Sequence, residues 1–494
     1  MPSHPPSSSW EFLNKGSRYL LLDNISKGLE PVFVLLCARL YAGGEWGFFK
    51  YYESIILLLM RIAVVGLDRG VVWIFTKRGG EAGFFRAFSR AVNFVFLFSI
   101  VLALLAAAQW AGWLPAIGKF NRHSGALSWL DVSCYLAALP MQAATLLFLQ
   151  TFINKQALVP VMILRNVITP MAIFGPAVAL AFTPLKANGL ALPYLFGSCL
   201  ALLLAVLWFF RLFQIPWRSW AHSAWIPRDL LRFSLPLAGT DVLMSFAYRL
   251  DILLLAKYSG IHTVEIYSLV VWASNTLRGI RQSFDTLLLS VFSHEKAGVF
   301  SDMQRQAFNY GSFLVLSIQI PFLPLSYLFG GQLLGLVAPQ YATGGRVLVI
   351  AVACNLGLTL AAFSGQLVIG MGRTWVTMVS QGVYFATGLG LNLLMVPRWG
   401  MSGAAWATGI AGLLTGLVSY TGIALLGKTP LFQARFFQPL ALGSLAFLPS
   451  VLARILLPLP LALEIGLFAA GTAVFVWVTR RAKKALNKPH PPSN

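Results

Sequence analysis

The sequence contains about fourteen apolar stretches of roughly 18–25 residues. This repetition is the feature that most strongly limits which folds the chain can adopt. A stretch of that length crosses the hydrocarbon core of a bilayer as an α-helix. Only 11% of the residues are charged, whereas soluble domains carry about a quarter. We therefore predict an all-α, polytopic membrane protein. The predicted spans are 19–40, 48–68, 89–112, 129–153, 159–182, 189–213, 234–257, 266–292, 308–330, 346–370, 375–397, 402–427, 437–456 and 461–479.

The basic residues indicate how the chain is oriented in the membrane. Its formal net charge of +21 is spread over the short segments between spans. With the N-terminus inside, 22 Lys and Arg residues fall on the cytoplasmic side and nine on the other. This asymmetry predicts a bacterial cytoplasmic (inner) membrane protein with both termini in the cytoplasm, in contact with anionic membrane lipids. Basic residues that are distributed in this way argue against a nucleic-acid partner.

The sequence offers no recognisable catalytic or metal-binding motif. Its four cysteines all lie in apolar stretches and are interpreted as small core residues rather than disulfide partners. The six histidines are scattered singly, so no metal site is predicted. No Ser/His/Asp or Cys/His set and no Gly-rich phosphate loop is present. We therefore predict neither an enzyme nor a cofactor, and no ATP-driven transport by this chain alone.

Ionisable side chains interrupt four predicted spans, although a charge near the bilayer centre costs at least about 2.5–3.5 kcal/mol. Helical spacing places most of these side chains on one face of each span. Five of the cations lie inside spans, and a sixth, Arg165, lies near a cytoplasmic end. The stripes are Asp23, Lys27 and Glu30 in the first span; Glu53, Arg61 and Asp68 in the second; Asp241, Ser245, Tyr248 and Arg249 in the seventh, with Asp251 off the stripe; and Asn275, Arg278, Gln282 and Asp285 in the eighth, with Arg281 one turn before Asp285.

Two interpretations of these charges remain open. Intrahelical ion pairs, such as Asp23–Lys27 and Arg281–Asp285, could hold the bundle together. We favour a hydrated, net-cationic cavity for an anionic substrate. Burying five cations on four helices costs more free energy than helix packing alone would justify. Arginine suits phosphate or pyrophosphate through forked hydrogen bonds. The predicted substrate-binding residues are Lys27, Arg61, Arg249, Arg278 and Arg281, and the predicted cavity-tuning or ion-coupling residues are Asp23, Glu53, Asp241 and Asp285.

The chain also carries a hint of internal duplication. The segments ARLYAGGEWGFFKYYESI and AKYSGIHTVEIYSLVVWASN both run from a cation through a short polar turn into an aromatic-led helix. Six helices lie between the two starts, so the repeats would have the same orientation in the membrane. Such repeats are related by an axis along the membrane normal, as in some secondary transporters.

The segment LRFSLPLAGTDVLMSFAYRLDILLLAKYSG, followed by VEIYSLVVWASNTLRGI, resembles helices seven and eight of polysaccharide transporters. These are Wzx-type lipid-linked oligosaccharide flippases of the multidrug/oligosaccharidyl-lipid/polysaccharide (MOP) exporter superfamily. The run LNLLMVPRWGMSGAAWATGI resembles a later part of the same proteins, and ARLYAGGEWGFFKYYESI and VVGLDRGVVWIF match more loosely. The resemblance covers most of residues 15–430.

The resemblance implies two pseudo-symmetric six-helix lobes around a central cavity, with two further C-terminal helices. Related lipid II flippases have essential cavity arginines on their first, second and eighth helices, where this chain has Lys27, Arg61, Arg278 and Arg281. A lysine at the first of these positions puts a bidentate contact there in doubt. The predicted domains are a disordered tail (1–17), an N-lobe (18–213), a cytoplasmic linker (214–233), a C-lobe (234–427), helices 13 and 14 (428–479) and a basic tail (480–494).

By this resemblance we expect a flippase that moves a polyprenyl-pyrophosphate-linked oligosaccharide from the cytoplasmic to the periplasmic leaflet by alternating access. The substrate would be a cell-surface polysaccharide precursor, such as an O-antigen or exopolysaccharide repeat unit, and polysaccharide polymerase or export proteins are the expected protein partners. A multidrug exporter of the same superfamily is an alternative, although cationic drugs favour an acidic cavity. A membrane glycan polymerase or ligase is another, although the predicted periplasmic loops are short. A non-transporting scaffold also stays open.

Overall fold

The structure, a computed structural model, describes residues 29–70, 81–112, 128–155, 157–214, 220, 225–293, 302–370, 374–426, 432–457 and 460–486. Within these residues all regular secondary structure is helical, which confirms the all-α prediction. The first seven helices, with a π-helical segment inside the fifth and a short break inside the seventh, follow the predicted order of spans. They are α1 (Leu29–Leu40), α2 (Glu45–Val64), α3 (Glu81–Trp110), α4 (Trp129–Asn154), α5 (158–180), α6 (Ala191–Phe213), α7a (Arg228–Ala247) and α7b (Leu250–Tyr258).

The rest of the chain continues the pattern of long apolar helices joined by short turns. One helical segment of 53 residues, Thr374–Leu426, is divided into α11 and α12 by a backbone break at Gly400. At about 1.5 Å per residue it would be about 80 Å long, more than twice the thickness of a bilayer core. The remaining helices are α8 (Ile261–Ser293), α9a (Asp302–Gln319), α9b (Phe322–Gly335), α10 (Gly345–Gly370), α11 (374–399), α12 (401–426), α13a (Ala434–Ser444), α13b (Leu448–Leu456) and α14 (Leu461–Leu486).

Ten segments of the described chain are long and apolar enough to cross a membrane, and one of these contains both α11 and α12. The polytopic membrane architecture is therefore confirmed, whereas the count of fourteen spans stays a prediction. Neither α2 nor α8 is among the ten. In α2 the cause is visible, because Glu45, Lys50, Glu53 and Arg61 interrupt twenty residues. Both helices are among those that the sequence identifies as charge-bearing.

The chain divides into two compact units, Met1–Glu265 and Ile266–Asn494. The boundary lies within α8, and the predicted lobe and linker boundaries stay predictions. In the first unit α1 packs on α5, where the Tyr41 hydroxyl donates a hydrogen bond of 2.6 Å to the Ala177 carbonyl. An aromatic core fills the space between the helices of this unit, with Phe49 near Tyr135 and Tyr194 at ring separations of 6.3 and 5.7 Å.

The second unit has an apolar core built from α9, α10, α11, α12, α13 and α14. Phe308, Phe363 and Val376 are among the buried side chains of one cluster. A buried amide network connects α8 to this core. The Gln319 side chain donates 2.7 Å to the Leu277 carbonyl, and Thr359 donates 2.8 Å to the Gln319 side-chain oxygen. Hydrogen bonds in a low-dielectric interior hold the helices in register.

Candidate functional site

α2 and α7a cross closely at a break in α2. Val65 and Gly66 have φ angles of 51° and 67°, and the chain becomes helical again over 67–70. A methyl group on Gly66 would lie 2.5 Å from the Ser234 carbonyl oxygen and 2.9 Å from the Ala238 nitrogen. Gly66 therefore serves two needs at once, a left-handed backbone and a close approach of two helices.

Two ion pairs lie at this crossing. The Arg69 guanidinium contacts the Asp241 carboxylate of α7a at 2.8 Å. The Arg61 guanidinium reaches Asp68 at 3.5 Å, the outer limit of a hydrogen bond. Asp241 also lies within electrostatic range of Arg61 and Asp68. These four residues form one group of two cations and two carboxylates, which we call the crossing cluster.

A second charged group lies further along the same helices. Glu53 of α2 forms an ion pair of 2.8 Å with Lys50, one turn earlier. The Arg249 guanidinium lies within electrostatic range of Glu53, Tyr194, Asp251 and also Arg61. Arg61 thus connects the crossing cluster to the group around Glu53 and Arg249. The structure brings four of the predicted site residues together on α2 and α7: Glu53, Arg61, Asp241 and Arg249.

Arg249 sits at a break rather than inside a continuous helix. The sequence predicts one seventh span over 234–257, but the helix is interrupted at Tyr248 and Arg249. Arg249 has φ −121° and ψ −4°, and its amide bonds to the Phe246 carbonyl in a tighter turn. The stripe predicted for Asp241, Ser245, Tyr248 and Arg249 assumes a continuous helix, which the structure interrupts at Tyr248 and Arg249.

Hydrogen-bonding capacity remains available on these arginines. Arg61 is 33% exposed at its side chain and makes only the long contact to Asp68. Arg249 is partly buried, and its guanidinium donates no hydrogen bond to another described residue. Each guanidinium carries five N–H donors in a planar fork. Donors that the protein leaves free can bind an anion with two acceptor oxygens.

The eight charged side chains grouped around Arg61 and Arg249 balance one another, with four cations and four carboxylates. Lys50, Arg61, Arg69 and Arg249 are offset by Glu53, Asp68, Asp241 and Asp251. Any affinity for an anion here therefore comes from oriented guanidinium donors rather than from surplus positive charge. Both interpretations of the sequence, ion pairing and anion binding, therefore apply to this group. Some of its cations form ion pairs and still keep N–H donors free for an anion.

The other predicted site residues lie outside this group. Arg278 and Arg281 lie on α8 in the second unit and are partly buried. Asp23 and Lys27 lie outside the described residues, as does the side chain of Asp285. No group of three or more metal-binding side chains occurs in the described part of the chain.

The predicted site leaves out four charged residues of this region. Lys50, although within the predicted span 48–68, and Arg69 are counted with the basic residues that set the orientation. Asp68 is on the second stripe and Asp251 is off the seventh, and neither is among the predicted site residues. Both cations contact carboxylates on the same stripe or on α7a. Spacing gave part of the signal, since Lys50 precedes Glu53 by three residues and Arg61 precedes Asp68 by seven. The contact between Arg69 and Asp241 depends on the helix break and has no local signal.

A double-mutant cycle should detect the pair at the crossing. We expect Arg69→Ala and Asp241→Ala each to destabilise the folded protein, and the double variant to lose less than the sum. The expected coupling is about 0.5–1 kcal/mol, because the Arg69 side chain is 53% exposed. Thermal unfolding in detergent measures it. Strictly additive losses would show that the contact contributes nothing to stability.

Searches against known proteins gave structural matches. No protein-family model and no curated protein matches the sequence. The lipid II flippase MurJ in its inward closed conformation superposes with a TM-score of 0.73 at 14% identity, covering 95% of this chain and 100% of that one. The chain has the MOP exporter fold. This finding confirms the fold expected from the resemblance of α7 and α8.

Other transporters with the MOP fold are also similar to this chain. A MOP superfamily transporter from Pyrococcus furiosus superposes with a TM-score of 0.55 at 15% identity, covering 84% of this chain and 95% of that one. The Vibrio cholerae MATE transporter VcmN in its bent form gives 0.53 at 13% identity, with coverage of 84% and 96%. Identities this low establish the MOP fold and leave the substrate open.

Proposed function

We propose that the protein is a flippase that moves a polyprenyl-pyrophosphate-linked oligosaccharide across the cytoplasmic membrane by alternating access. The observation that carries the proposal is the pair of half-buried arginines, Arg61 and Arg249, with free donors on two helices of one unit. A pyrophosphate offers the acceptor oxygens that such donors bind. The oligosaccharide would cross in water, and the prenyl chain would stay in lipid.

The structural matches support a flippase more than a drug exporter. MurJ covers 95% of this chain, whereas the MATE transporter covers 84%. The difference is about a tenth of the chain, enough for two spanning helices. In this proposal Arg278 and Arg281 of α8 join Lys27, Arg61 and Arg249 in binding the pyrophosphate. Asp23, Glu53, Asp241 and Asp285 would tune the charge of the cavity or couple an ion.

The orientation in this proposal follows from the distribution of Lys and Arg. Both termini would lie in the cytoplasm of a bacterial cell, and the α1–α2 and α7–α8 turns would face the periplasm. The chain itself would catalyse no covalent step. A polysaccharide polymerase or export complex would take the translocated precursor.

Depletion of the protein in its own cell tests the proposal. We expect a polyprenyl-pyrophosphate-linked oligosaccharide to accumulate in the membrane, because its transfer to the periplasmic face stops. Mass spectrometry of the extracted lipids identifies the intermediate and its sugars. Re-expression of the intact chain should clear it.

The matched MATE transporters make a multidrug exporter the second candidate. An unchanged lipid-linked pool, together with hypersensitivity of the depleted cell to cationic drugs, would favour that function over the flippase. Accumulated glycan with unchanged drug sensitivity would support the flippase.

A further inference from the structure

A buried carboxylate joins the turn between α1 and α2 to the first turns of α8. Glu265 is 1% exposed. One of its oxygens accepts a hydrogen bond of 2.7 Å from the Gly44 amide, and the other accepts one of 3.2 Å from the Gly43 amide. Two successive backbone N–H groups that point into one concave turn form a binding site for an anion. Here the anion is a side chain of the same protein.

Three glycines make this contact possible. Gly43 and Gly44 have φ angles of 129° and 111°, which other residues rarely adopt. A side chain on Gly44 would meet the His262 ring at 3.2 Å, and one on Gly47 would collide with the Ile261 carbonyl. The α1–α2 turn therefore lies directly against the backbone of α8. The two segments in contact belong to the sequences that suggest an internal duplication.

The charged surroundings of Glu265 come from three elements. His262 of α8 lies 3.7 Å from the Glu265 carboxylate and is 76% exposed at its side chain. Glu45 at the start of α2 lies within electrostatic range of Glu265 and of Lys186, from the short helical turn Pro184–Asn188. The contact is thus buried at the carboxylate but close to the water-exposed surface.

A contact of this kind can separate at small cost. The Glu265 carboxylate and the two amides all regain hydrogen bonds to water when they part, so the net loss is much smaller than the strength of the bonds in isolation. If an apolar interface of the same size opened, its surface would gain no hydrogen bonds from water, and the free-energy cost of exposing it would remain. A buried carboxylate that lies close to the water-exposed surface is therefore suited to a contact that opens and closes.

We infer that Glu265 is a latch that holds the α1–α2 turn against α8 and keeps the periplasmic end of the transporter closed. The inference rests on the proposed transport function and orientation, in which this end must open once in each cycle. Closing would form the two hydrogen bonds to Gly43 and Gly44, and opening would break them. The latch biases the equilibrium between the two states by the free energy of this contact.

Hydrogen exchange of the full-length protein in nanodiscs tests the latch, because the two latch donors are themselves exchangeable amides. We expect Glu265→Gln to speed exchange of the peptide over residues 41–47 by at least about tenfold, the loss of one charge-assisted hydrogen bond. Glu45→Gln is the matched control, since it removes a neighbouring carboxylate that does not bind the turn. It should exchange like the unmodified protein.

Gly47→Ala provides a second variant that leaves the charge of Glu265 intact. Its methyl group pushes the turn away from Ile261, so exchange over 41–47 should rise as in Glu265→Gln. Peptides from α10 should be unchanged in both variants, which shows that the fold is retained. Unchanged exchange over 41–47 in Glu265→Gln would overturn the latch, and so would faster exchange throughout the chain in both variants. The measurement uses no substrate, so its failure is distinct from failure of the proposed glycan function.

Discussion

Arg61→Ala is expected to lower export of the lipid-linked glycan by about a hundredfold or more. The guanidinium of Arg61 keeps donors free and lies within range of both Asp68 and Arg249. Loss of a bidentate, charge-assisted contact to pyrophosphate removes about 3 kcal/mol or more of binding, which corresponds to at least a hundredfold change. The measurement is surface glycan in a depleted cell that expresses the variant. Arg278→Ala on α8 should have a similar effect.

Two further variants separate charge from geometry. Arg61→Lys keeps a cation but loses the planar fork, so it should recover only part of the export. Arg346→Ala, at the exposed start of α10, removes a basic residue that is not among the proposed site residues and should export normally. Membrane abundance of each variant must match that of the unmodified chain. Undiminished export by both Arg61→Ala and Arg278→Ala would refute the cavity proposal.

Gly66→Ala is expected to destabilise the protein severely. A left-handed backbone costs a residue with a side chain about 1–2 kcal/mol. The methyl group would also lie 2.5 Å from the Ser234 carbonyl oxygen, so α2 and α7a would have to move apart. That movement would separate Arg69 from Asp241. We expect a lower unfolding temperature in detergent, measured by intrinsic fluorescence, and a reduced yield of folded protein.

Gly239→Ala is the matched control for this prediction. Gly239 lies in α7a next to the same crossing, but a methyl group there meets no atom within 4 Å. Alanine in place of glycine inside a helix stabilises by up to about 1 kcal/mol. The two substitutions should therefore shift the unfolding temperature in opposite directions. A Gly66→Ala protein as stable as Gly239→Ala would show that the α2–α7a crossing does not require glycine.

Much of the fold was accessible from the sequence because a bilayer imposes a length on each apolar stretch. The order of helices follows the predicted spans, and the turn at Gly400 falls between the predicted ends at 397 and 402. The break at Tyr248 and Arg249 was not predicted. Neither Tyr248 nor Arg249 is a glycine or proline, so the sequence carries no local signal for this break.

The site was predictable in its residue types but not in its pairings. Spacing groups Arg61 with Asp68, and the two form an ion pair even though the break at Val65 and Gly66 lies between them. The Arg69–Asp241 pair joins residues 172 positions apart. Counting charges predicts a net-cationic cavity, and this stays a prediction, although the charged side chains grouped around Arg61 and Arg249 are equal in number of cations and carboxylates. The count by span leaves out Lys50 and Arg69, although it includes Glu53 and Asp241, the carboxylates that these two cations contact.

The backbone break at Gly400 constrains how this part of the chain enters the membrane during synthesis. α11 and α12 are joined with almost no chain between them. A nascent α11 therefore has no polar loop that could stay behind while α12 is made, and the two helices enter as a hairpin. In the proposed orientation, Arg398 and the 58% exposed Trp399 would be carried across at its tip. Trp399 is of the type that anchors a span at the membrane–water interface. Biogenesis of this hairpin thus depends on the shortness of its turn.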